Sequence, residues 1–440
     1  MKKILVLGSG FVAKPLITYL VGLKKYKVMV TGITLAEAKM ATGLRAFTEA
    51  LRLDVNDDRE LGQLIKNADI VVSLLPYAFH ARIARACIAH RKSMVTTSYA
   101  KSEIFTLDKE ARSNNVLILK EMGLDPGLDH ISAMKLIDAI KTGGGDIVSM
   151  RSYCGGFPAP EANDNPLHYK FSWSPKGVLL AIKGAARYYE DEKIIKVKGD
   201  EIDQSATRIR INEFNFEAYP NRDSLPYLHS YGIQNARTLV RYTLRYPGWT
   251  ALFAAVHKMG LLDEEPVDFT EGTSYHAFVQ KAGKACLNPP FEHKAVNSIE
   301  HDEIVKKMQW LDLFNTEKIV KEKSPVSPID FLTNRMLEKM QYAVGERDMI
   351  VLYHDFVVKF PDRKERITSQ LINYGDQYGH SAMSSSVAAP AVAAVNLILQ
   401  GKIKLKGVQI PVNPEIYNPV MNELAKMGMS FEEKRSMLPD

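Results

Sequence analysis

Cysteine is scarce in this sequence and long hydrophobic runs are missing. The three cysteines, Cys87, Cys154 and Cys286, are too scattered for a disulfide framework, and no Cys-x-x-Cys or His-Glu-x-x-His pattern supplies a metal site. The most apolar late stretch, residues 387–399, contains a proline and is shorter than the roughly 18 residues that a membrane-spanning helix needs. We therefore expect reduced thiols, a cytoplasmic protein, no metal and no membrane partner.

A strong charge of one sign is also lacking. Lys and Arg number 57 against 51 Asp and Glu, which gives a formal net charge of +6. The excess is diffuse and no aromatic-basic module accompanies it, so nucleic acid is not an expected partner. A mild attraction for anionic small molecules is the expectation instead.

The first third of the chain alternates short apolar runs with amphipathic segments, which is typical of βαβ units around a parallel sheet. Helical spacing covers residues 11–23, 59–66, 79–89 and 102–114. The pattern predicts an α/β fold with a Rossmann-type doubly wound parallel sheet. The six predicted strands are Ile4–Leu7, Val28–Val30, Leu51–Val55, Ile70–Leu75, Met94–Thr97 and Val116–Leu119.

The chain's 440 residues exceed what one hydrophobic core usually supports. We place the end of this Rossmann-type domain at residue 124, where the pattern changes. A second α/β domain is predicted over 125–234 and 339–379, with a strand at 146–153 and a hairpin whose arms are 349–360 and 366–374. Residues 235–338 predict a helical subdomain, and residues 380–440 contain a small-residue-rich helix suited to packing back on the first domain.

The segment Gly8-Ser9-Gly10-Phe11-Val12-Ala13 has the form G-x-G-x-x-A and lies between a predicted strand and a predicted helix. The first glycine permits a tight turn, the second permits close approach to a pyrophosphate, and the helix N-terminus supplies N–H donors. This predicts a nicotinamide dinucleotide and an oxidoreductase.

The residue after the second strand usually separates NAD from NADP. Here the segment Thr31-Gly32-Ile33-Thr34 holds neither the acid that binds ribose hydroxyls nor an arginine that faces a 2′-phosphate. Thr34 and Lys39 are candidate phosphate contacts, so NADP is favoured and NAD stays open. Four residues at predicted strand ends are either ligand contacts or turn residues, namely Asp54, Leu75, Thr97 and Ser98.

Several longer segments are more elaborate than packing requires, and through them the chain resembles the saccharopine reductases, the glutamate-forming saccharopine dehydrogenases of lysine metabolism. The shared runs cover nearly the whole chain and are GSGFVA, LLPYAFH, GLDPGLDH, YCGGFPAPE, NPLHYKFSWSP, YPNRDS, TLRY and GERDMIV. Fungal NADP-using members carry arginine where this chain has Ile33, so the cofactor preference does not carry over.

The resemblance implies a reversible NAD(P)-dependent reaction in which saccharopine and water interconvert with L-glutamate and L-2-aminoadipate 6-semialdehyde through an imine. The implied nucleotide contacts are Ser9, Gly10, Phe11, Val12, Thr34, Asp54, Val55, Leu75, Thr97, Ser98, Leu124, Asp125, Pro126 and Ser174. The implied amino-acid contacts are Ser98, Tyr99, Asp125, Arg222, Thr243, Leu244 and Arg245.

Saccharopine carries three carboxylates, and the planar guanidinium of arginine suits their bidentate recognition. Arg222 and Arg245 are the candidates, and the alternative for Arg222 is a surface ion pair with Asp223.

Loss of hydride requires an unprotonated amine, and hydrolysis of the imine requires an activated water, so the site needs a base. Tyr99, Asp125 and Cys154 are the catalytic candidates and none is singled out. Asp125 also fits a helix N-cap before a proline. Four further titratable candidates are Lys101, His80, His130 and His168, and for the histidines a structural role is the simpler interpretation.

Two other functions stay open. One is a sibling dehydrogenase that acts on another carboxyalkyl amine, such as carboxynorspermidine, and the other is a non-catalytic dinucleotide-binding protein that has kept the fold. The two arginines favour the multiply carboxylated substrate. The physiological direction, synthesis or breakdown of lysine, cannot be read from the residues, and a homodimer is only the base-rate expectation.

Overall fold

The computed structural model describes residues 1–43, 45–99, 102–283 and 298–439. The predicted candidate Lys101 lies outside these residues, as does Cys286. The chain forms two compact units, of which unit 1 comprises Met1–Ile147 and Val358–Asp440 and unit 2 comprises Val148–Val357. The division at residue 124 and the separate helical subdomain over 235–338 differ from these bounds and stay predictions.

Unit 1 contains a seven-stranded parallel sheet. Its strands are β1 (Lys2–Leu7), β2 (Tyr26–Gly32), β3 (Thr48–Arg52), β4 (Ile70–Ser73), β5 (Ser93–Thr96), β6 (Leu117–Leu119) and β15 (Gly407–Gln409). Their spatial order is β15-β6-β5-β4-β1-β2-β3, and every neighbouring pair is parallel. The order reverses between β1 and β4, which is the doubly wound Rossmann arrangement. The predicted fold class is confirmed.

Helices connect these strands. They are α1 (Ala13–Gly22), α2 (Leu35–Thr42), α3 (Asp58–Asn67), α4 (His80–Ala89), α5 (Ser102–Phe105), α6 (Asp108–Ser113) and α7 (Leu128–Thr142). α3 begins at a clear signal, because the Asp57 carboxylate accepts from the N–H groups of Arg59 and Glu60 at 3.0 Å each. α2 was not predicted, because its buried residues Ala38, Ala41 and Thr42 are too small to give a pronounced apolar face.

The later part of unit 1 adds β14 (Lys364–Tyr374), α14 (Ala382–Leu399), α15 (Pro414–Lys426) and β16 (Glu432–Leu438). α14 packs against α1, β4 and β5, and α15 packs against α7. The hydroxyl of Tyr26 donates to Asn396 Oδ1 at 2.8 Å within this contact region. α14 is the single helix among the described residues that is long and apolar enough to cross a membrane, and 78% of it is buried inside the protein, as in a core helix.

Unit 2 is built on a mixed sheet. Its strands are β7 (Asp146–Pro158), β8 (Ala186–Glu190), β9 (Lys193–Val197), β10 (Thr207–Ile211), β11 (Phe214–Pro220), β12 (Thr238–Arg245) and β13 (Asp348–Lys359). The spatial order is β10-β11-β12-β7-β13, with β8 paired to β12 and β9. β12 runs parallel to β7 and antiparallel to β11. β13 and β14 follow one another through a turn in which Phe360 N donates to Arg363 O at 2.8 Å, as the predicted hairpin requires.

The helices of unit 2 are α8 (Pro175–Lys183), α9 (Leu225–Ser230), α10 (Trp249–Lys258), α11 (Tyr275–Ala282), α12 (Ser298–Trp310) and α13 (Pro328–Lys339). Large apolar residues of α8, α10, α11, α12 and α13 form one core. The helical spacing predicted from residue 235 onward is wrong at β12. That strand is buried along nearly its whole length, so it lacks the alternation by which a half-exposed strand is detected.

Candidate active site

The glycine turn of unit 1 has the geometry of a dinucleotide site. Gly8 follows β1 with φ of +111°, a conformation that favours glycine, and its N–H donates to Thr31 O at 3.2 Å. A Cβ at Gly10 would meet nothing within 4 Å, so the space beside the turn is open. Val12, the N-cap residue of α1, makes no side-chain cap bond. The first N–H groups of α1 thus lack a side-chain cap acceptor, which is what a bound pyrophosphate requires.

The end of β2 is shaped by Gly32 and Thr34. A Cβ at Gly32 would lie 2.9 Å from Thr34 O, so a larger residue does not fit there. Thr34 caps α2, because its Oγ1 accepts from Glu37 N at 3.2 Å. Ile33 is 56% exposed beside this cap. The position that separates NAD from NADP therefore presents an apolar side chain to the outside of the turn.

The other predicted nucleotide residues of unit 1 lie at the carboxyl ends of the parallel strands. Asp54 makes the turn that was its alternative role, since its Oδ1 accepts from Asn56 N at 3.0 Å. The backbone of Ser98 makes two hydrogen bonds. Its N–H donates to Thr96 Oγ1 at 3.4 Å, and its carbonyl accepts from Glu121 N at 3.3 Å. The side chains of Val55, Leu75 and Thr97 are half-buried there, and the nucleotide contacts of all these residues stay predictions.

Two catalytic candidates meet directly. The Tyr99 hydroxyl donates to Asp125 Oδ1 at 2.5 Å, and both side chains are half-buried. A hydrogen bond to a carboxylate is stronger than one between neutral groups, so the pair is well suited to fix the direction of the Asp125 side chain. The residues are 26 positions apart and come together because each follows a strand of the same parallel sheet.

The loop that carries Asp125 is a closed turn. Gly123 N donates to Pro126 O at 3.0 Å, Leu128 N donates to Gly123 O at 2.8 Å, and the Asp125–Pro126 peptide is cis. A Cβ at Gly127 would lie 2.2 Å from Gly123 O, so only glycine fits. The N-cap interpretation of Asp125 is wrong, because Gly127 occupies the cap position and α7 begins at Leu128.

The side chain of His80 is buried in the interior of unit 1. Its Nε2 lies 3.2 Å from Thr96 Oγ1, and its Nδ1 lies 3.4 Å from Lys120 Nζ. Burial, helped by the charge of Lys120, lowers the pKa of His80 to about 4. Burial likewise lowers the pKa of Lys120 to about 8. His80 is therefore neutral at neutral pH.

Three substrate candidates of unit 2 lie on β12. In the parallel pairing of β7 with β12, Thr243 lies opposite Cys154, and a Cβ at the neighbouring Gly155 would come within 2.7 Å of Leu244 O. Arg245 is only 4% exposed. Its guanidinium stacks 5.0 Å from the Tyr169 ring and 5.3 Å from the Trp249 ring, and its Nη1 donates to Leu244 O at 2.7 Å.

Arg222 and Ser174 are exposed in unit 2. Arg222 follows β11 with φ of +56°, and its carbonyl accepts from Arg187 N at 2.8 Å. The neighbouring Asp223 forms its ion pair with Arg187, whereas the sequence suggested Arg222 as its partner. Ser174 caps α8, since its Oγ accepts from Gly177 N at 3.2 Å. Across the described ranges, no group of three or more His, Cys, Asp or Glu could hold a metal ion.

The polar residues around the Asp125 loop were not predicted as site residues. Lys120, Glu121 and Asp129 are nearly completely buried, as is His130, for which a structural role was the simpler prediction. The one available signal was their position, because charged residues directly after an apolar strand lie at the sheet edge where open α/β folds bind ligands.

Comparison with known proteins identifies the family. Residues 4–119 match the saccharopine dehydrogenase NADP binding domain, and residues 123–429 match the saccharopine dehydrogenase C-terminal domain. The chain is 39% identical to saccharopine dehydrogenase (NADP+, L-glutamate-forming) of Pyricularia oryzae and 38% identical to the protein of that name from Saccharomyces cerevisiae. In both cases the alignment covers 98% of this chain and 99% of the relative.

One solved structure and one longer relative support the same family. The structure matches the apo histidine-tagged saccharopine dehydrogenase (L-Glu forming) from Saccharomyces cerevisiae with a TM-score of 0.85 and 36% identity, over 99% of this chain and 100% of that chain. The mitochondrial alpha-aminoadipic semialdehyde synthase of Bos taurus is 35% identical over 98% of this chain, which corresponds to 47% of that protein. With two matching domains and full-length relatives, the chain belongs to the saccharopine dehydrogenase family.

Proposed function

We propose that this chain is an NADP-dependent oxidoreductase of the CH–NH class that interconverts saccharopine with L-glutamate and L-2-aminoadipate 6-semialdehyde. Full-length relatives that bear this activity in their names support the reaction class. The observation that carries the proposal is the 2.5 Å hydrogen bond from Tyr99 to Asp125, formed at the carboxyl edge of the sheet that also holds the glycine turn.

The reaction removes a hydride from the carbon that joins the lysine part of saccharopine to its secondary amine, and an imine remains. NADP+, when bound, supplies the hydride acceptor. Water then adds to the imine carbon, and the carbon–nitrogen bond breaks to give the amino group of glutamate and the aldehyde. One hydride and one proton are released for each water consumed, so the chain must accept a proton and direct a water.

Asp125 is the proton acceptor that we assign to this step. Its carboxylate accepts the Tyr99 hydrogen bond on Oδ1, and we assign proton transfer to Oδ2. Tyr99 fixes the orientation of the carboxylate, since the donor holds one oxygen in place. Cys154 lies on a different unit, and its contribution stays a prediction.

The substrate carboxylates are assigned to Arg222 and Arg245, with Ser98, Thr243 and Leu244 as further contacts. The Arg245 guanidinium packs against the rings of Tyr169 and Trp249, which restricts its motion and favours bidentate recognition of a carboxylate. The nucleotide is assigned to the glycine turn and the strand ends of unit 1, with Leu124, Pro126 and Ser174 as further contacts. NADP is the expected cofactor, since residues 4–119 match an NADP binding domain.

The test is the initial rate of absorbance change at 340 nm with purified protein, saccharopine and either NADP+ or NAD+. Reduction of NADP+ in preference to NAD+ supports the proposal. If the cofactor is reduced with carboxynorspermidine and not with saccharopine, carboxynorspermidine is the substrate. If the protein binds a dinucleotide but oxidises neither amine, it is a non-catalytic binding protein. A cytoplasmic location and a homodimer stay predictions, testable by cell fractionation and light scattering.

A further inference from the structure

A row of three buried ionisable side chains lies next to the Asp125 loop. His130 Nε2 is 3.0 Å from Glu121 Oε2, and His130 Nδ1 is 3.5 Å from Asp129 Oδ2. The three residues are 0%, 3% and 2% exposed in the order His130, Glu121, Asp129. Burial of ionisable groups destabilises a fold unless the groups satisfy one another, and apolar residues would fill the same space without that cost. The proposed chemistry does not use any of the three directly.

One end of the row is bonded to the loop on both sides of Asp125. Asp129 Oδ1 accepts from Gly127 N at 2.6 Å, and Asp129 N donates to Leu124 O at 3.1 Å. Leu124 and Gly127 bracket Asp125 and Pro126. The Asp129 carboxylate therefore holds the Gly127 end of the dipeptide that carries the proposed base, and the Asp129 backbone holds the Leu124 end.

The other end of the row is bonded to the segment that carries Tyr99. Glu121 N donates to the carbonyl of Ser98, the residue before Tyr99, at 3.3 Å. Glu121 also has φ of +59°, a conformation that residues other than glycine seldom adopt and that persists where the surroundings impose it. The row thus connects the two segments whose side chains meet in the Tyr99–Asp125 hydrogen bond.

We propose that Glu121, His130 and Asp129 are positioning residues that hold the Asp125 carboxylate against the Tyr99 hydroxyl. The inference rests on the proposed function for what Asp125 does once it is in place. It assigns no nucleotide contact to the three side chains of the row, so their loss should affect the rate of the chemical step more than the affinity for the cofactor.

The variants that test this are Asp129→Ala and Asp129→Asn. The alanine variant loses the acceptor for Gly127 N, and we expect kcat to fall about ten- to a hundredfold, the size of effect that a misplaced catalytic group produces. KM for saccharopine and the dissociation constant of NADPH should change by a smaller factor than kcat, because most of the assigned nucleotide and substrate contacts lie outside residues 124–127. Asp129→Asn keeps an acceptor oxygen and should recover most of the lost rate.

Ile65→Val is the matched control, since Ile65 is buried in the core of unit 1 on α3, a helix outside the segments to which the row is bonded. It should lower the melting temperature while kcat stays at the wild-type value. If Asp129→Ala does not fold, Glu121→Gln preserves the side-chain shape and should lower kcat in the same selective way. The proposal would be overturned if Asp129→Ala and Glu121→Gln both kept the wild-type kcat. It would also be overturned if Asp129→Asn lowered kcat as much as Asp129→Ala does.

Failure of the proposed function is separable from failure of this inference. If the wild-type protein does not oxidise saccharopine, the proposed function fails, and crystal structures still test the row. We expect the Tyr99 hydroxyl and Asp125 Oδ1 to separate beyond hydrogen-bonding distance in Asp129→Ala, and to remain at hydrogen-bonding distance in Asp129→Asn and in the Ile65→Val control. An unchanged pair in Asp129→Ala would refute the positioning role.

Discussion

At the scale of single residues, the bond between Tyr99 and Asp125 sets the first prediction. Replacement Asp125→Asn should lower kcat by about a hundredfold or more, the usual contribution of a general base. Tyr99→Phe should lower kcat less, because it removes only the group that orients the carboxylate. The double variant should lose less than the product of the two single losses, since Tyr99 acts through Asp125. The rates are measured at 340 nm.

Tyr378→Phe is the control for this cycle, because Tyr378 is 81% exposed and should tolerate the loss of its hydroxyl. If the losses of the two single variants multiply in the double variant, the residues act independently and Tyr99 does not orient Asp125.

Arg222 and Arg245 give a second prediction at this scale. Arg222 is exposed, so Arg222→Ala should leave the melting temperature nearly unchanged while KM for saccharopine rises about tenfold or more, as expected for a lost charged hydrogen bond. Arg245→Ala should raise KM and also lower stability, because the guanidinium is buried against two aromatic rings. Arg187→Ala, which removes the exposed partner of Asp223, is the control for Arg222. An unchanged KM in Arg222→Ala would remove this residue from the substrate site.

At the scale of elements, the turn from β2 to α2 predicts how cofactor preference can be changed. Ile33 is exposed where an arginine would face the 2′-phosphate, so Ile33→Arg should lower the dissociation constant of NADPH by roughly tenfold through a charge-assisted bond. Ile33→Asp should weaken the binding of NADPH and should leave the binding of NADH unchanged or stronger. Fluorescence titration with both nucleotides measures this. If either substitution changed the dissociation constants of NADPH and NADH by the same factor, the 2′-phosphate would not bind beside residue 33.

Elements marked by a local signal were the ones that the sequence predicted well. The glycine turn, α3 with its Asp57 cap and the hairpin around residue 361 each carry such a signal. The buried strands β4 and β6 were predicted as short apolar runs, whereas polar residues interrupt β12 and β15 has a single apolar side chain. A strand with neither an alternating pattern nor an apolar run escapes prediction from the sequence.

At the scale of the whole molecule, the buried His80 makes stability depend on pH. Its pKa is lowered to about 4 from the ordinary value of 6.5, chiefly by burial, so the unfolded chain takes up the proton first as the pH falls. The free energy of unfolding should therefore decrease between about pH 6.5 and pH 4, by up to about 3 kcal/mol from this residue. Lys120 stays protonated in both states over that interval and adds no slope.

Urea unfolding of the wild-type protein and of His80→Asn at about pH 7.5 and about pH 5 measures the effect. The variant should show a smaller loss of stability on acidification, and the difference between the two proteins isolates His80 from the carboxylates. Parallel pH dependence in both would mean that the imidazole is not the titrating group.

The candidate site was less accessible to sequence reasoning than the fold. The sequence predicts that Tyr99 and Asp125 lie near each other, because both follow strands that end at the same sheet edge. It does not predict the buried row of Glu121, His130 and Asp129. Its three side chains lie within ten positions of one another, and which atoms meet depends on the path of the loop between β6 and α7. A sequence gives the spacing of such residues but not the direction of their side chains.

The composition of unit 1 from two separated stretches has a consequence for how the protein emerges from the ribosome. Residues 148–357 form one continuous stretch, so unit 2 is fully translated while unit 1 still lacks α14 and β15. At about 5–20 residues per second, the sheet of residues 1–147 waits on the order of ten seconds or more for these partners. During that interval β4 and β5 lack the helix that buries one of their faces, so nascent chains stalled before residue 382 should be the species that chaperones hold.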